Sequence, residues 1–506
     1  MSKVIEQPSR PFIPYSLCVL LFVCLWLQVF IAKGATLDTV LIHILGICAA
    51  AALGFWYVKH AHTSIMNVGV VLLLLVVILI RSSFIYDSQM ASVNLLESTS
   101  VHDFELVVSR DLVYKNHAWT GQASVFYQGG CIGSVGIHAK EPILRETHLC
   151  CEGRFTRYKD KEFSDEQFKR GVLGSIQVTK VNSSTYEEGV IGEVAQFRES
   201  CISQLQPEAS FGRALAACGV CAYRPSLYSF NIPRIFMRCG LMHLIAISSC
   251  HMVILSTFID AFLKKLTLKP LLRGVLNVIL LSSYALFCGL PASAIRAILL
   301  VEQKYVMQCV GRKQHTLSAV STLALLMLCV DPQLSVNIAF TLSLACIFGM
   351  NIYGGLAQYY AKIAFHLSGY GKVQKVLRKP FSHVRNTMCA TTVAQLSCLP
   401  ISCMYFGHFS LLAPLSSALI TSLFSLLSLF GIGVIVFSGF KPVQGIALFL
   451  VDSLGQFIET LASFLSERSF ASVSLTDMSW IVSLLVFVAM VALYVFWPKG
   501  KRVVLS

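Results

Sequence analysis

Six side chains that interrupt or flank long apolar segments could line a path through a membrane. They are His243, Ser248, His251, Arg296, Phe340 and Ser343. Histidine, serine and arginine are costly at membrane depth unless they meet protein partners or water. Such groups suit either the passage of a charged solute or the hydrogen bonds that lock neighbouring helices together.

Alternatives stay open at the two sharpest positions. His243 and His251 fall near one face of a helix, where they could point into a path or hold a helical bundle together. Ser248 lies three residues before His251, which would also suit an intramembrane hydrolase. Arg296 follows Pro291 by a turn and a half, so its side chain could face a wet cavity or snorkel to the outer interface.

The elements that must position these residues are membrane spans. The chain has 506 residues, of which 55% are apolar and 13% charged, and its mean hydropathy is +0.69. Soluble domains carry about 25% charged residues, so an ordinary cytosolic enzyme is excluded, as are a coiled coil and a disordered chain. The composition predicts a polytopic α-helical membrane protein, and the apolar runs indicate about twelve spans.

Charge and periodicity divide the chain into three parts. Residues 1–81 hold the N-terminal spans, residues 82–233 a β-rich domain with a helical C-terminal part, and residues 234–506 the remaining spans. The middle part contains 17 of the 26 acidic residues, and its alternation of apolar and polar residues predicts strands. The predicted strands are residues 104–109, 123–127, 132–138 and 175–181.

The distribution of charge predicts the orientation of the spans. The chain has a net charge of +14, and the basic residues outside the β-rich domain collect in the loops between apolar runs. Such loops lie on the cytoplasmic side of membrane proteins. This rule puts both termini in the cytoplasm and the β-rich domain outside the cell membrane.

The β-rich domain offers one candidate nucleic-acid surface and one candidate disulfide. A run interleaves basic and aromatic side chains: Arg154, Phe155, Arg157, Tyr158, Lys159 and Lys161. Bases can stack on the rings while the cations neutralise phosphates. The alternative is an ordinary solvated edge strand, because the domain as a whole is slightly acidic. An oxidising exterior would also allow Cys131 to pair with Cys150 or Cys151.

Four segments, in order, resemble the ComEC family of competence DNA-uptake channel proteins. The matching residues are Gly240, His243, Ala246, Ser248 and His251; Pro291, Arg296 and Ala297; Asp331, Pro332, Phe340, Leu342 and Ser343; and Leu399, Pro400, Phe406, Gly407, Phe409 and Ser410. The resemblance implies a channel of the bacterial cytoplasmic membrane that imports single-stranded DNA during natural transformation. It also implies an external domain that resembles an OB-fold, a DNA receptor on the outer side and a cytoplasmic translocase. The translocase would supply the drive, because the chain has no phosphate-binding loop for ATP.

Two features depart from the family pattern. Ser249 stands where the family has a glycine, which weakens the expectation of identical backbone geometry. The chain ends at Ser506, soon after its last apolar run, so we expect the short form without the metallo-β-lactamase-like domain of many members. We therefore expect no enzymatic activity, no metal and no cofactor. The expected partners are single-stranded DNA and membrane lipid, and the possibility of a homo-oligomer is left open.

A small-solute secondary transporter is the alternative function. Such transporters also place polar groups on broken helices near the middle of the membrane. An internal inverted repeat would favour this function, and the sequence has no clear repeat.

Overall fold

The computed structural model describes most of the chain. The described residues are 3–6, 11–33, 37–60, 65–98, 103–115, 118–127, 130–158, 164, 167–186, 189–245, 249–311, 315–364, 372–406, 408–468, 472–474, 479–497 and 502–505.

Helices make up most of the described chain. Three long helices come first: α1 (Tyr15–Lys33), α2 (Leu37–His60) and α3 (Ile65–Ser98). Five shorter helices follow the β-rich part: α4 (Val190–Leu205), α5 (Phe211–Cys221), α6 (Pro225–Ser229), α7 (Ile232–Cys239) and α8 (Met242–Ile245). The remaining helices are α9 (Ser249–Lys265), α10 (Pro270–Phe287), α11 (Ala292–Cys309), α12 (Thr316–Val330), α13 (Ile338–Ala364), α14 (Lys372–Phe406), α15 (Ala413–Val436), α16 (Lys441–Ser466) and α17 (Ser479–Val495).

Four helical segments among the described residues are long and apolar enough to cross a membrane. They are Ile65–Glu97, Ile338–Ile363, Ala413–Val436 and Lys441–Ser466. Several shorter helices are also apolar, including segments of α1, α2, α10, α12 and α17. The mostly helical class with candidate membrane spans is therefore confirmed, whereas the polytopic arrangement and the number of about twelve spans stay predictions.

Short strands pair in two places outside the β-rich part. Strand β1 (Lys3–Glu6) pairs with β10 (Arg502–Leu505). Strand β8 (His408–Ser410) pairs with β9 (Ser472–Ser474). Each pair joins segments that are distant in the sequence, and both pairs are antiparallel.

The β-rich part is a small barrel. Its strands are β2 (Asp103–Val108), β3 (Val113–Lys115), β4 (Ala118–Tyr127), β5 (Gly130–Ala139), β6 (Thr147–Thr156) and β7 (Val172–Tyr186). Five strands close a ring in the order β2, β4, β5, β7, β6, because β2 pairs with both β4 and β6. The pairing of β5 with β7 is parallel, the other pairs in the ring are antiparallel, and β3 extends the edge of β4.

Alternation of side chains builds the core of this barrel. Leu106, Val125, Ile137, Leu149 and Ile176 are all buried, and each lies on a different strand of the ring. Successive residues of a strand point to opposite faces, so these apolar positions gather inside. The four predicted strand segments coincide with parts of β2, β4, β5 and β7, while β3 and β6 were not predicted.

Helix α3 continues into the barrel. Its 34 residues span about 51 Å at 1.5 Å per residue, which exceeds the ~30 Å hydrocarbon core. Near its C-terminal end, Val93 and Leu96 belong to the barrel core, and Tyr86 contacts the ring of Phe168. The helix therefore extends well past residue 81, where the sequence indicates a boundary between parts.

The chain forms two compact units. One comprises Ile13–Cys201 and Ser249–Thr341, and it contains α1 to α3, the barrel and α9 to α12. The other comprises Met1–Phe12, Ile202–Ser248 and Leu342–Ser506, and it contains α5 to α8 and α14 to α17.

Candidate functional site

Arg296 is buried inside protein. Helix α11 begins directly after Pro291, and Gly289 and Leu290 turn the chain with positive φ values of 86° and 49°. Arg296 follows in the second turn of the helix, where its relative exposure is 0%. Its guanidinium carbon lies 5.9 Å from the centre of the Phe340 ring. The snorkelling alternative is therefore wrong, because Arg296 packs against an aromatic face within its own unit.

Two side-chain caps hold Phe340 beside Arg296. Asp331 accepts a hydrogen bond from the backbone N–H of Gln333 at 2.9 Å, which starts the short 3-10 turn Pro332–Val336. Asn337 Oδ1 then accepts from the N–H groups of Ala339 and Phe340 at 3.0 and 3.3 Å. Asp331 and Pro332 thus form a turn, which sets the first turn of α13, where Phe340 is fully buried. Ser343 lies three residues further along α13 and is half-buried.

The other predicted channel residues are not brought together by anything the structure describes. His243 lies in α8 and its side chain is exposed. Ser248 lies outside the described residues, and His251 lies in α9 with its side chain outside them. The proposal that these residues share one helical face therefore stays a prediction.

A polar network that sequence reasoning missed joins α9, α10 and α11. Asn277 is fully buried, and its Nδ2 donates to the backbone oxygen of Ser256 at 2.9 Å and to the Tyr305 hydroxyl at 3.2 Å. The Tyr305 hydroxyl in turn bonds to Asp260, which also pairs with Lys264 at 2.7 Å. One amide thus ties three helices, including α11 with Arg296. The only signal in the sequence is a single asparagine within an apolar run.

A second network joins α5 to α16 in the other unit. The Arg213 guanidinium donates to both carboxylate oxygens of Asp452, with Nη2 at 2.7 Å from Oδ2. Ser210 caps α5 and donates to the same carboxylate. Next to this pair, Gly212 and Gly455 let the two helix backbones touch: a Cβ added at Gly455 would lie 2.1 Å from the Gly212 Cα.

The basic and aromatic run of the barrel is split between two sides of its wall. Phe155 points inward and packs on the core, over Gly174. Tyr158 lies against Gly136, which sits between the buried Val135 and Ile137 and therefore faces outward. Phe155 and Tyr158 thus do not form a shared stacking surface.

The cations of the same run differ in their surroundings. Arg154 is exposed on β6. Arg157 Nε lies 3.6 Å from Glu97 Oε1 of α3, so this cation is engaged in an ion pair. Lys159 and Lys161 lie outside the described residues. Arg154 and Arg157 are therefore both exposed, and of the two Arg157 is paired with Glu97.

The predicted disulfide is not formed, because Cys131, Cys150 and Cys151 are free thiols. Cys131 lies on β5 and Cys150 on β6, and these strands are separated in the ring by β7 on one side and by β4 and β2 on the other. Strands are spaced by about 4.8 Å, whereas a disulfide needs its two Cα atoms within about 7 Å. Cys151 faces the core, and burial raises the pKa of its thiol to about 11.

Comparison with known proteins identifies the family of the chain. The family model described as "Competence protein" matches residues 226–500, which is more than half of the chain and includes α9 to α17. Searches of curated proteins and of solved structures gave no significant match. The matched region contains His243, Arg296 and Phe340, which carry the sequence resemblance. This chain is therefore a member of the competence protein family.

Proposed function

We propose that this protein is a membrane channel that imports single-stranded DNA during natural transformation. The observation that carries the proposal is its membership of the competence family over residues 226–500. Arg296, a cation on an otherwise apolar stretch of α11, is the proposed phosphate contact, because a polymer of phosphates needs cationic or polar groups along its path. By resemblance to the family, a DNA receptor would deliver the strand and a cytoplasmic translocase would pull it.

Twelve spans in the bacterial cytoplasmic membrane fit the arrangement of helices. Outside the barrel and the five short helices after it, the described chain has twelve helices of 15 residues or more, from α1 to α3 and from α9 to α17. The pairing of β1 with β10 brings the two ends of the chain together, as an even number of spans requires. The basic residues that close the chain favour a cytoplasmic location for both ends.

Contacts of the barrel support its placement on the outer side. Arg145 Nη2 of the barrel unit donates to the Phe287 backbone oxygen at the end of α10, at 2.9 Å. Gly171 lies against Gln333, just after α12 ends. The C-terminal ends of α3, α10 and α12 thus lie on one side. This is expected if the chain crosses the membrane twice between one of these ends and the next. The opposite end of α10 is next to Lys264 and Lys269 in the sequence, and these cations favour the cytoplasm.

The barrel is the proposed first contact for the incoming strand. An OB-fold is a five-stranded barrel that binds oligonucleotides. The ring has five strands, and their order around the barrel, β2, β4, β5, β7 and β6, differs from their order in the sequence. This arrangement supports the OB-fold proposal. We assign Arg154, exposed on β6, as a phosphate contact, and its contribution should weaken as salt rises.

Deleting the gene tests the function. We expect that labelled DNA still binds at the cell surface but that no labelled strand reaches the cytoplasm in a nuclease-protected form. A plasmid copy should restore entry. Unchanged entry in the deletion strain would refute the proposal, and loss of a small solute's uptake instead would support a transporter.

Native cysteines test the topology. Cys131 and Cys150 are exposed on the barrel, while Cys309 is exposed at the end of α11 that lies away from it. We expect a membrane-impermeant maleimide to label Cys131 and Cys150 in intact spheroplasts, and Cys309 only after permeabilisation. Cys151 should stay unlabelled, because its raised pKa leaves little thiolate. Peptide mapping by mass spectrometry reads the result, and labelling of Cys131 only after permeabilisation would contradict the topology.

A further inference from the structure

The segment Phe211–Gly240 carries cations and no carboxylate. The chain has no Asp or Glu between Glu208 and Asp260. The Lys and Arg residues in that interval are Arg213, Arg224, Arg234 and Arg238. Arg213 is neutralised by Asp452 of α16. The other three arginines have no ion-pair partner in the part of the chain that the structure describes, so their positive charges are not offset.

Helix α7 separates two of these cations from its packing face. Ile232, Phe236 and Cys239 form the packing face and are fully buried. Arg234 and Arg238 lie on another side of the helix, where Arg234 is exposed and Arg238 half-buried. Side chains four residues apart on a helix are neighbours, with Cβ atoms about 5–6 Å apart. The two guanidinium groups can thus meet one phosphate together or two successive phosphates of one strand.

The buried face fixes α7 to two long apolar helices, α15 and α16. The Cys239 backbone oxygen accepts a hydrogen bond from Ser416 Oγ of α15 at 2.6 Å, and its Sγ donates to the Ala462 oxygen of α16 at 3.3 Å. Gly240, with a φ of 71°, ends α7 against the start of α15, because a Cβ there would lie 2.3 Å from the Ala413 Cβ. The arginines of α7 are therefore held beside both helices.

The segment follows most of α15 but is not one helix. At its other end, Val220 of α5 lies against Gly431, which is 18 residues after Ala413 on α15. Such a length of helix spans about 27 Å, close to the ~30 Å hydrocarbon core. Over this length the segment is broken into α5, α6 and α7, with left-handed turns at Ala222 and Asn231. Irregular backbone at membrane depth must be buried in protein or line a water-filled cavity.

The three arginines are distributed along this length. Arg224, which is exposed, comes four residues after Val220, and Arg238 comes two residues before Gly240. Arginines exposed to hydrocarbon are costly, and the phosphates of lipid headgroups lie only at the two ends of a span. A row of cations over the thickness of a membrane suits instead a strand that carries a phosphate at every step. Tyr228, also exposed in this segment, offers a ring on which a base can stack.

We propose that Arg224, Arg234 and Arg238 form a phosphate-binding row along the path of the single strand. The inference rests on the proposed function and on α15 spanning the membrane. Guanidinium groups suit this role, because each can donate two parallel hydrogen bonds to a phosphate. Contacts to phosphate carry no sequence information, so the row would accept strands of any sequence.

The salt dependence of DNA binding tests the row. The full-length protein is reconstituted in phosphatidylcholine nanodiscs, and its affinity for a fluorescent oligothymidylate is measured over a range of salt concentrations. Each of the three arginines is replaced by glutamine, alone and in combination. Arg234→Lys with Arg238→Lys keeps both charges. Lys304→Gln removes an exposed cation from α11 and is the matched control.

We expect the slope of log affinity against log salt to become shallower by about 0.7 for each arginine replaced by glutamine, because each phosphate contact releases counterions. The lysine variant should keep the slope of the parent protein with a severalfold weaker affinity, since its point charges cannot form the paired hydrogen bonds. The Lys304→Gln control should match the parent protein in both slope and affinity.

Three other results would contradict the inference. Glutamine variants that keep the parent slope would overturn it and leave the proposed function intact. If those variants also lose phosphatidylglycerol that the parent protein retains through purification, as counted by mass spectrometry, the arginines bind lipid headgroups instead. A parent protein whose binding of the oligonucleotide does not weaken with salt would overturn both the inference and the proposed function.

Discussion

The Arg296→Leu variant should reach the membrane at its normal level and fail to admit DNA. An arginine in an apolar helix costs about 2.5–3.5 kcal/mol to insert, and leucine removes that cost. In the protein, Arg296 is fully buried with its guanidinium 5.9 Å from the Phe340 ring. In the proposed path that cation meets the passing phosphates, and the loss of one charge-assisted contact of about 1.5–3 kcal/mol lowers entry about ten- to a hundredfold, at 1.4 kcal/mol per tenfold.

Two further variants make this result specific. Arg296→Lys keeps the charge and should retain part of the uptake, although the planar guanidinium that faces Phe340 is lost. Lys304→Leu removes an exposed cation from the same helix and should leave entry unchanged. Uptake of labelled DNA is measured beside the membrane level of each variant. Normal entry through Arg296→Leu at normal abundance would remove Arg296 from the path.

The Gly455→Leu variant should lose stability and DNA entry together. Any Cβ at this position would meet the Gly212 Cα at 2.1 Å, so α5 and α16 must separate. Overpacking alone costs about 1–3 kcal/mol. The separation would also pull Asp452 away from Arg213, which now lies at 2.7 Å, and would leave two partly buried charges without each other.

A glycine on the same helix provides the matched control. A Cβ at Gly445 would meet no atom within 4 Å, so Gly445→Leu should behave like the parent protein. Thermal unfolding of the detergent-solubilised variants, followed by loss of the monodisperse peak in size exclusion, compares the two. Equal melting temperatures for Gly455→Leu and Gly445→Leu would show that the close approach of α5 and α16 does not stabilise the protein.

The sequence by itself determined the class of protein and most of the barrel strands. Membrane character follows from apolar runs of about 20 residues, a local property that needs no tertiary contact. Four strands were predictable because apolar and polar residues alternate along them. The Asp331-Pro332 turn was predictable because its cap also depends on neighbouring residues only.

Strand β6 and the end of helix α3 could be located only from the tertiary structure. Strand β6 was missed because Cys151 and Gly153 occupy inward positions, where a weakly apolar residue is no signal of a strand. Helix α3 was expected to end near residue 81, where Arg81, Ser82 and Ser83 interrupt the apolar run. It continues because Val93 and Leu96 gain a partner in the barrel core, and that partner forms only once the strands have closed.

The candidate site depended most on long-range packing. Residue types marked Arg296 as costly in lipid, but only the structure decided that it packs on Phe340, 44 positions later, rather than snorkelling. Likewise Asn277 and Tyr305, or Gly212 and Gly455, acquire their roles from partners on other helices. Hydropathy and periodicity indicate whether each residue favours water or an apolar environment. They do not report which helix will lie next to it, because that is set by how the whole set of side chains can pack at once.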